Sequence, residues 1–135
     1  MPGTDPTQRR PVGDVYDWYV RGLKLLDAGH PAAAAELLAH AAAADPGSAS
    51  IREALGRARL GAKQFERARE DFAWLADTHP DDDYAHFALG LALSRLGDPR
   101  AAAEQLALAC AMRPDRDDYA RLLAQVRATG RAQSS

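Results

Sequence analysis

From Val15 onward the chain is a succession of amphipathic stretches, in which apolar residues return at the three- and four-residue spacing of one helix face. The stretches are separated by short runs of helix breakers and caps. Asp14 precedes the first, and Gly29-His30-Pro31, Asp45-Pro46-Gly47-Ser48, Gly61-Ala62-Lys63, His79-Pro80-Asp81, Gly97-Asp98-Pro99 and Arg113-Pro114-Asp115 separate the others. A glycine accepts the left-handed conformation that ends a helix, and a proline suits the first position of the next one. The pattern predicts seven helices, over about 15–28, 31–44, 49–60, 64–78, 82–96, 99–112 and 116–128, and no strand. The turn before the fourth helix is expected to differ slightly, because Lys63 stands where Gly29 and Gly97 stand in the other two turns, and Gly61 comes two residues earlier.

The stretches repeat. Gly22, Gly56 and Gly90 are 34 residues apart, as are Ala34, Ala68 and Ala102, and Pro46, Pro80 and Pro114. Three markers sharing one period of this length point to stacked helical hairpins. A mid-helix glycine costs about 1 kcal/mol relative to alanine. Its recurrence in register marks a place where two backbones approach closely, and the alanines are the small residues on the second helix of each pair. The repeats are 15–48, 49–82 and 83–116.

Trp18-Gly22-Leu25-Ala34-Leu38-Ala41-Pro46 in the first repeat, Leu55-Gly56-Ala68-Phe72-Leu75-Pro80 in the second and Leu89-Gly90-Leu93-Ala102-Leu106-Ala109-Pro114 in the third resemble the tetratricopeptide repeat (TPR) family over about three quarters of the chain. Arg52 and His86 stand in place of the leading Trp, and Leu25, Arg59 and Leu93 in place of the mid-helix aromatic. The resemblance implies an all-α, right-handed superhelical solenoid of three antiparallel hairpins. The domain then spans 15–128, with a seventh, capping helix at about 116–128 that closes the stack with a more polar face. Residues 1–14 read as a flexible leader and 129–135 as a flexible tail.

Composition narrows the function. The chain has 135 residues, 47% of them hydrophobic, and a formal charge of −2 from 17 basic and 19 acidic residues. That balance gives little attraction for phosphates and disfavours nucleic acid as a partner, although Arg52, Arg57, Arg59, Lys63, Arg67 and Arg69 make the middle repeat locally basic. Without an export signal or a long apolar run, a cytoplasmic protein with no membrane contact is expected. Cys110, the single cysteine, reads as a small buried hydrophobe. Asp81-Asp82-Asp83 reads as a helix start rather than a metal site, and so do Asp115, Asp117 and Asp118. His30, His40, His79 and His86 form no ligand or catalytic motif. No enzyme, cofactor or metal is expected.

The resemblance also implies a concave groove lined by the first helix of each repeat. Its site residues here are Tyr16, Tyr19, Leu23, Glu53, Arg57, Tyr84, Phe87, Leu91, Arg95 and Arg121, with Val20, Leu26, Asp27, Ser50, Ala54, Leu60, Ala88, Asp118, Leu122 and Gln125 beside them. Aromatic anchors and mixed charges suit a peptide or helix of another intracellular protein. The lysines and asparagines with which some members clamp a chaperone's terminal carboxylate are absent, since Tyr19, Leu23, Ala54, Tyr84 and Ala88 hold those positions. The expected function is therefore a non-catalytic interaction module, adaptor or scaffold. The alternative is a self-associating protein whose groove or end is covered by a second copy.

Overall fold

The computed structural model describes residues 11–134, so most of the expected leader, and Ser135, lie outside the described residues. Seven helices follow one another: α1 (Val15–Asp27), α2 (Pro31–Ala44), α3 (Ala49–Gly61), α4 (Phe65–Thr78), α5 (Asp83–Arg95), α6 (Pro99–Met112) and α7 (Asp117–Ser134). Each packs on the next. In addition α1 touches α3 and α5 touches α7, so the first helices of the hairpins lie on the inner side of the stack and α2, α4 and α6 on the outer side.

Local chemistry fixes the helix starts. Asp14 and Asp17 form a reciprocal capping box, with each carboxylate accepting the other's backbone N–H. Ser48, Asp82 and Asp98 each accept the amide three residues on, which satisfies one of the donors a helix start leaves open. The seventh helix does not end near residue 128. It continues through Gly130 to Ser134, where Thr129 and Ser134 hydroxyls donate to carbonyls one turn back.

The middle turn is not the exception its sequence suggests. Gly29 and Gly97 take φ +84°, and Lys63 takes φ +62°. The amides of all three donate to the carbonyl three residues back, and the amides after them to the carbonyl five back. The hydrogen-bond pattern and the packing of the hairpin override the lysine's steric preference. Gly61 serves a different purpose: a Cβ there would lie 2.8 Å from Pro31 Cβ, so it lets the end of α3 approach the start of α2.

The core is a string of clusters along the stack. Trp18, Leu37, Ala41 and Ile51 form one, and Ala34, Ala35, Leu38, Ala54, Leu55 and Ala58 a second. Phe72, Leu75, Ala85, Ala88 and Leu89 form a third, and Ala102, Leu106, Leu123 and Val126 a fourth against α7. Cys110 is half-buried against that last cluster.

One slot in each hairpin is filled by different chemistry. It lies between the fourth and eleventh residues of the inner helix and the twenty-third of the repeat, on the outer helix. In the first repeat these are Trp18, Leu25 and Leu37, all apolar. In the second they are Arg52, Arg59 and Asp71. Asp71 is fully buried and accepts from Arg52 Nε at 2.7 Å and from Arg59 Nη1 at 2.8 Å. In the third, His86 Nδ1 meets Gln105 Oε1 at 2.8 Å and His86 Nε2 meets the Pro80 carbonyl at 2.8 Å. Arg52 also lies over the half-buried Trp74 ring, 5.2 Å from its centre.

Two stability measurements follow. Removing one partner of a buried ion pair leaves uncompensated charge, so Asp71→Ala costs about 3–5 kcal/mol in denaturant unfolding, whereas a buried triad replaced by packed apolar groups is often neutral. The triple change Arg52→Trp, Arg59→Leu, Asp71→Leu, which copies the first repeat into the second, therefore recovers most of that loss. An equal loss in the triple variant would show that the ion triad itself holds the hairpin. Separately, Lys63→Gly relieves a left-handed side chain and raises stability by about 1 kcal/mol; an unchanged unfolding midpoint would show the turn to be unstrained.

Candidate functional site

The inner face expected from the resemblance draws its residues from α1, α3, α5 and α7. From α1 it carries Tyr16, Tyr19 and Leu23. Tyr16 is 72% exposed, whereas Tyr19 and Leu23 are half-buried against the second core cluster. Tyr19 and Leu23 thus show one edge to solvent while their bodies hold α1 in the stack, and Tyr16 stands clear. Val20 and Leu26 are also half-buried, and Asp27 is exposed at the rim.

From α3 come Glu53 and Arg57, both half-buried, with Ser50 exposed and Leu60 packed against the third cluster. Ala54 and Ala88 are not part of the face. They are 2% and 0% exposed and belong to the core, because their small side chains let adjacent hairpins come together. Glu53, Arg57, Asp82 and Tyr84 interact electrostatically across the α3–α5 junction. Burial raises the Glu53 carboxyl above its ordinary value, the neighbouring Asp82 charge raises it further, and Arg57 opposes both. Burial likewise raises the Tyr84 phenol; the Arg57 charge pulls it down, and Glu53 and Asp82 add to the rise. The centre of the face is therefore a polar patch in which acidic charge is only partly answered.

From α5 come Tyr84, Phe87 and Leu91, all half-buried, and the exposed Arg95. The first two sit in an aromatic run. Phe72 meets Tyr84 edge-on at 5.9 Å, Tyr84 meets Phe87 at 6.2 Å, and Phe87 stacks on Tyr119 at 4.5 Å. Tyr119, from α7, is fully buried, and its hydroxyl donates to Asp83 Oδ2 at 2.7 Å. Burial and this bond push its phenol far above the usual tyrosine range. Arg116 covers the other side of the Tyr119 ring at 4.6 Å and also pairs with Asp118. Tyr84 and Phe87 therefore both floor the face and fasten the capping helix. Arg121 is exposed on α7 next to the half-buried Leu122.

Asp71 and Tyr119 were missed as organising residues. Asp71 sits among charged neighbours, and only the register of the repeats places it opposite Arg52 and Arg59; Tyr119 is legible as part of the apolar side of α7 with Leu122, Leu123 and Val126, but its bond to Asp83 and stacking on Phe87 are non-local. The aspartates read as helix starts divide their work: Asp82 caps α5, Asp83 holds Tyr119, and Asp115 and Asp118 pair with Arg113 and Arg116. Among the described residues no helix is long and apolar enough to cross a membrane.

A tetratricopeptide repeat family matches residues 54–117, and a second tetratricopeptide repeat family matches residues 25–73. No curated protein matches the sequence. Among solved structures, MamA from MSR-1 is 24% identical with a TM-score of 0.78 over 84% of this chain, which spans 66% of that chain. MamA from Desulfovibrio magneticus RS-1, from residue 41 to its end, is 20% identical with a TM-score of 0.78, over 90% of this chain and 78% of that one. The first TPR of Spaghetti (RPAP3), bound to the HSP90 peptide SRMEEVD, is 17% identical with a TM-score of 0.78, over 95% of this chain and 99% of that one. At these identities the likeness is one of fold. Two overlapping family matches, the 34-residue period and seven helices paired into hairpins lead to one conclusion: the chain belongs to the tetratricopeptide repeat family.

Proposed function

We propose that the protein is a non-catalytic interaction module that holds a peptide or helical segment of another intracellular protein against its inner face. The observation that carries this reading is the set of half-buried apolar side chains Tyr19 and Leu23 on α1 and Tyr84, Phe87 and Leu91 on α5, with the half-buried Glu53 and Arg57 on α3 between them. Aromatic side chains bury large area at low entropic cost, and the charges between them set register. The partly answered acidic charge at Glu53 favours a ligand that brings a basic residue there, while Arg95 and Arg121 favour an acidic one towards the capping helix. The structure of the RPAP3 TPR with its peptide supports the reading as an example of what this fold holds. The lysine and asparagine clamp is missing here, so a chaperone tail is not the ligand proposed.

A second reading is self-association. Val12 and Tyr16, 88% and 72% exposed at the first end of the stack, are the kind of surface a second copy would cover. Solution molar mass with and without residues 1–14 separates the two. A dimer that falls to a monomer on removal supports self-association, and a monomer throughout leaves the inner face free for a partner.

The structure guides the choice of variants. Phe87→Ala would loosen the Tyr119 stack, so loss of binding could reflect a loosened cap. Arg57 answers the Glu53 charge and is left in place; Leu91 lies outside the four core clusters, and Leu91→Asp should leave helicity and melting unchanged. In a pull-down from lysate, a partner held by the intact chain is expected to be lost by this variant, with a weakening of about 2 kcal/mol or more once the partner is purified. Equal capture by both baits would move the binding site off the inner face.

Glu53 gives a pH test. Its carboxyl is raised in the folded chain, so the ionised form is penalised there; the penalty is absent below the ordinary carboxylate value and complete above the raised one. Glu53→Gln should therefore melt higher than the natural chain at pH 7, with the gain shrinking to nothing at pH 3. A gain that persists at low pH would show that the effect is not one of charge.

A further inference from the structure

The basic residues crowded into the middle repeat are Arg52, Arg57, Arg59, Lys63, Arg67 and Arg69. Most of them have work in the fold. Arg52 and Arg59 hold Asp71, Arg57 answers Glu53, and Arg69 pairs with Glu66. The side chains of Lys63 and Arg67 have no ion-pair or hydrogen-bond partner among the described residues. Lys63 is moreover held at φ +62°, where the other two turns have glycine. Backbone strain of this kind clusters at functional sites.

Arg67 lines a cleft of about 340 Å³ between the first two hairpins. Ala35, Glu36, Ala39 and His40 of α2 border it on one side, and Arg59, Gln64 and Arg67 on the other. Both walls belong to complete hairpins, so the opening owes nothing to either end of the chain. Lys63 borders an adjoining cleft that shares Gln64 and Arg67. Arg59 makes both of its bonds to Asp71 through Nη1, which leaves its other guanidinium N–H groups uncommitted among the described residues. In that triad one carboxylate answers two guanidiniums, so a positive charge is left over, and Arg67 adds another. Glu36 is the one acid on the cleft, and it is exposed. At the same register one repeat on, Leu93, Asp98 and Ala101 replace Arg59, Gln64 and Arg67. The fold does not need cations there; this cleft has them for another reason.

We infer that the cleft between α2 and α4 binds a phosphate group, with Arg59 and Arg67 supplying the charge and Gln64 and His40 adding hydrogen bonds. Guanidinium groups match phosphate oxygens in geometry and charge. A phosphate offers three strong acceptor oxygens and nearly two negative charges, which suits donors drawn from α2, α3 and the start of α4 better than the two oxygens of a carboxylate. The cleft is far larger than the ~15 Å³ that seats one water, so it has room for part of the group that carries the phosphate. A single phosphate is the ligand rather than a nucleic-acid backbone, because the chain's formal charge is −2 and Glu36 stands beside the cations. The site is distinct from the inner face, and it stands or falls independently of what that face binds.

The probe is inorganic phosphate, titrated into the isotope-labelled full chain at constant ionic strength with chloride as the balancing anion. Saturable shifts are expected at the side-chain N–H groups of Arg59 and Arg67 and at the amides of Ala39 and Gln64. Arg67→Ala, a change on an exposed and unpaired side chain, should weaken binding about tenfold, as loss of a charge-assisted hydrogen bond does, and leave melting unchanged. Arg67→Ala with Lys63→Gly should abolish saturation, and Glu36→Gln should tighten binding. A phosphoserine peptide of otherwise neutral sequence separates the sources of the group. If it binds more tightly than free phosphate, the natural ligand is a phosphorylated partner protein; if it binds less tightly, the ligand is a free phosphate. No saturation at tens of millimolar phosphate, equal shifts with chloride, equal affinity in Arg67→Ala, or equal binding of the unphosphorylated peptide would each overturn the proposal.

Discussion

Each hairpin depends on one close approach. Leu38, Phe72 and Leu106 lie directly on Gly22, Gly56 and Gly90, at distances where a single added carbon would collide. Glycine weakens the inner helix by about 1 kcal/mol relative to alanine, and the approach offsets this by burying a large side chain completely. Once the two helices of a pair sit this close, alanines suffice for much of the remaining contact. Ala34, Ala68 and Ala102 are fully buried, and the rest of the stack is built from units that each meet only their neighbours.

The inner face is a product of that packing. Half-buried residues such as Tyr19, Leu23 and Leu60 fill gaps between hairpins with one edge and show the other edge to solvent. At the third repeat the same economy ties surface to structure: Tyr84 and Phe87 are links in an aromatic run that ends on Tyr119 beneath Arg116. Contact made on this face is therefore contact with the fastening of the capping helix.

Much of the fold was legible because its determinants are periodic or local. The glycine, alanine and proline periods give the hairpins, and Asp14, Ser48 and the Gly-x-Pro turns give most ends. What escaped was either non-local or a case where tertiary context overrides propensity. Lys63 adopts a glycine's conformation because the hydrogen bonds around it are those of the other two turns. The last helix runs on through Gly130 to Ser134, with the Thr129 and Ser134 hydroxyls bonded to carbonyls one turn back. For the candidate face, the resemblance supplied the expected residues, but not which of them also serve the core. Ala54 and Ala88 proved wholly structural, and the double duty of Phe87 depends on Tyr119, a residue from another helix.

The varied filling of the hairpin slot has a consequence for how the chain finds its structure. Adjacent repeats of similar sequence risk joining the wrong halves during folding, a characteristic failure of repeat proteins. Here the slots act as addresses. If α3 paired with α6, Arg52 and Arg59 would meet Gln105 and find no carboxylate; if α5 paired with α4, Asp71 would be buried against His86 and Leu93 without its two cations. Leu37, opposite Arg52 and Arg59 or opposite His86, would strand a charge or an imidazole. Each inner helix is thus matched in polarity to its own outer helix, and the repeats are distinguished from one another at the point where their shared pattern would otherwise make them interchangeable.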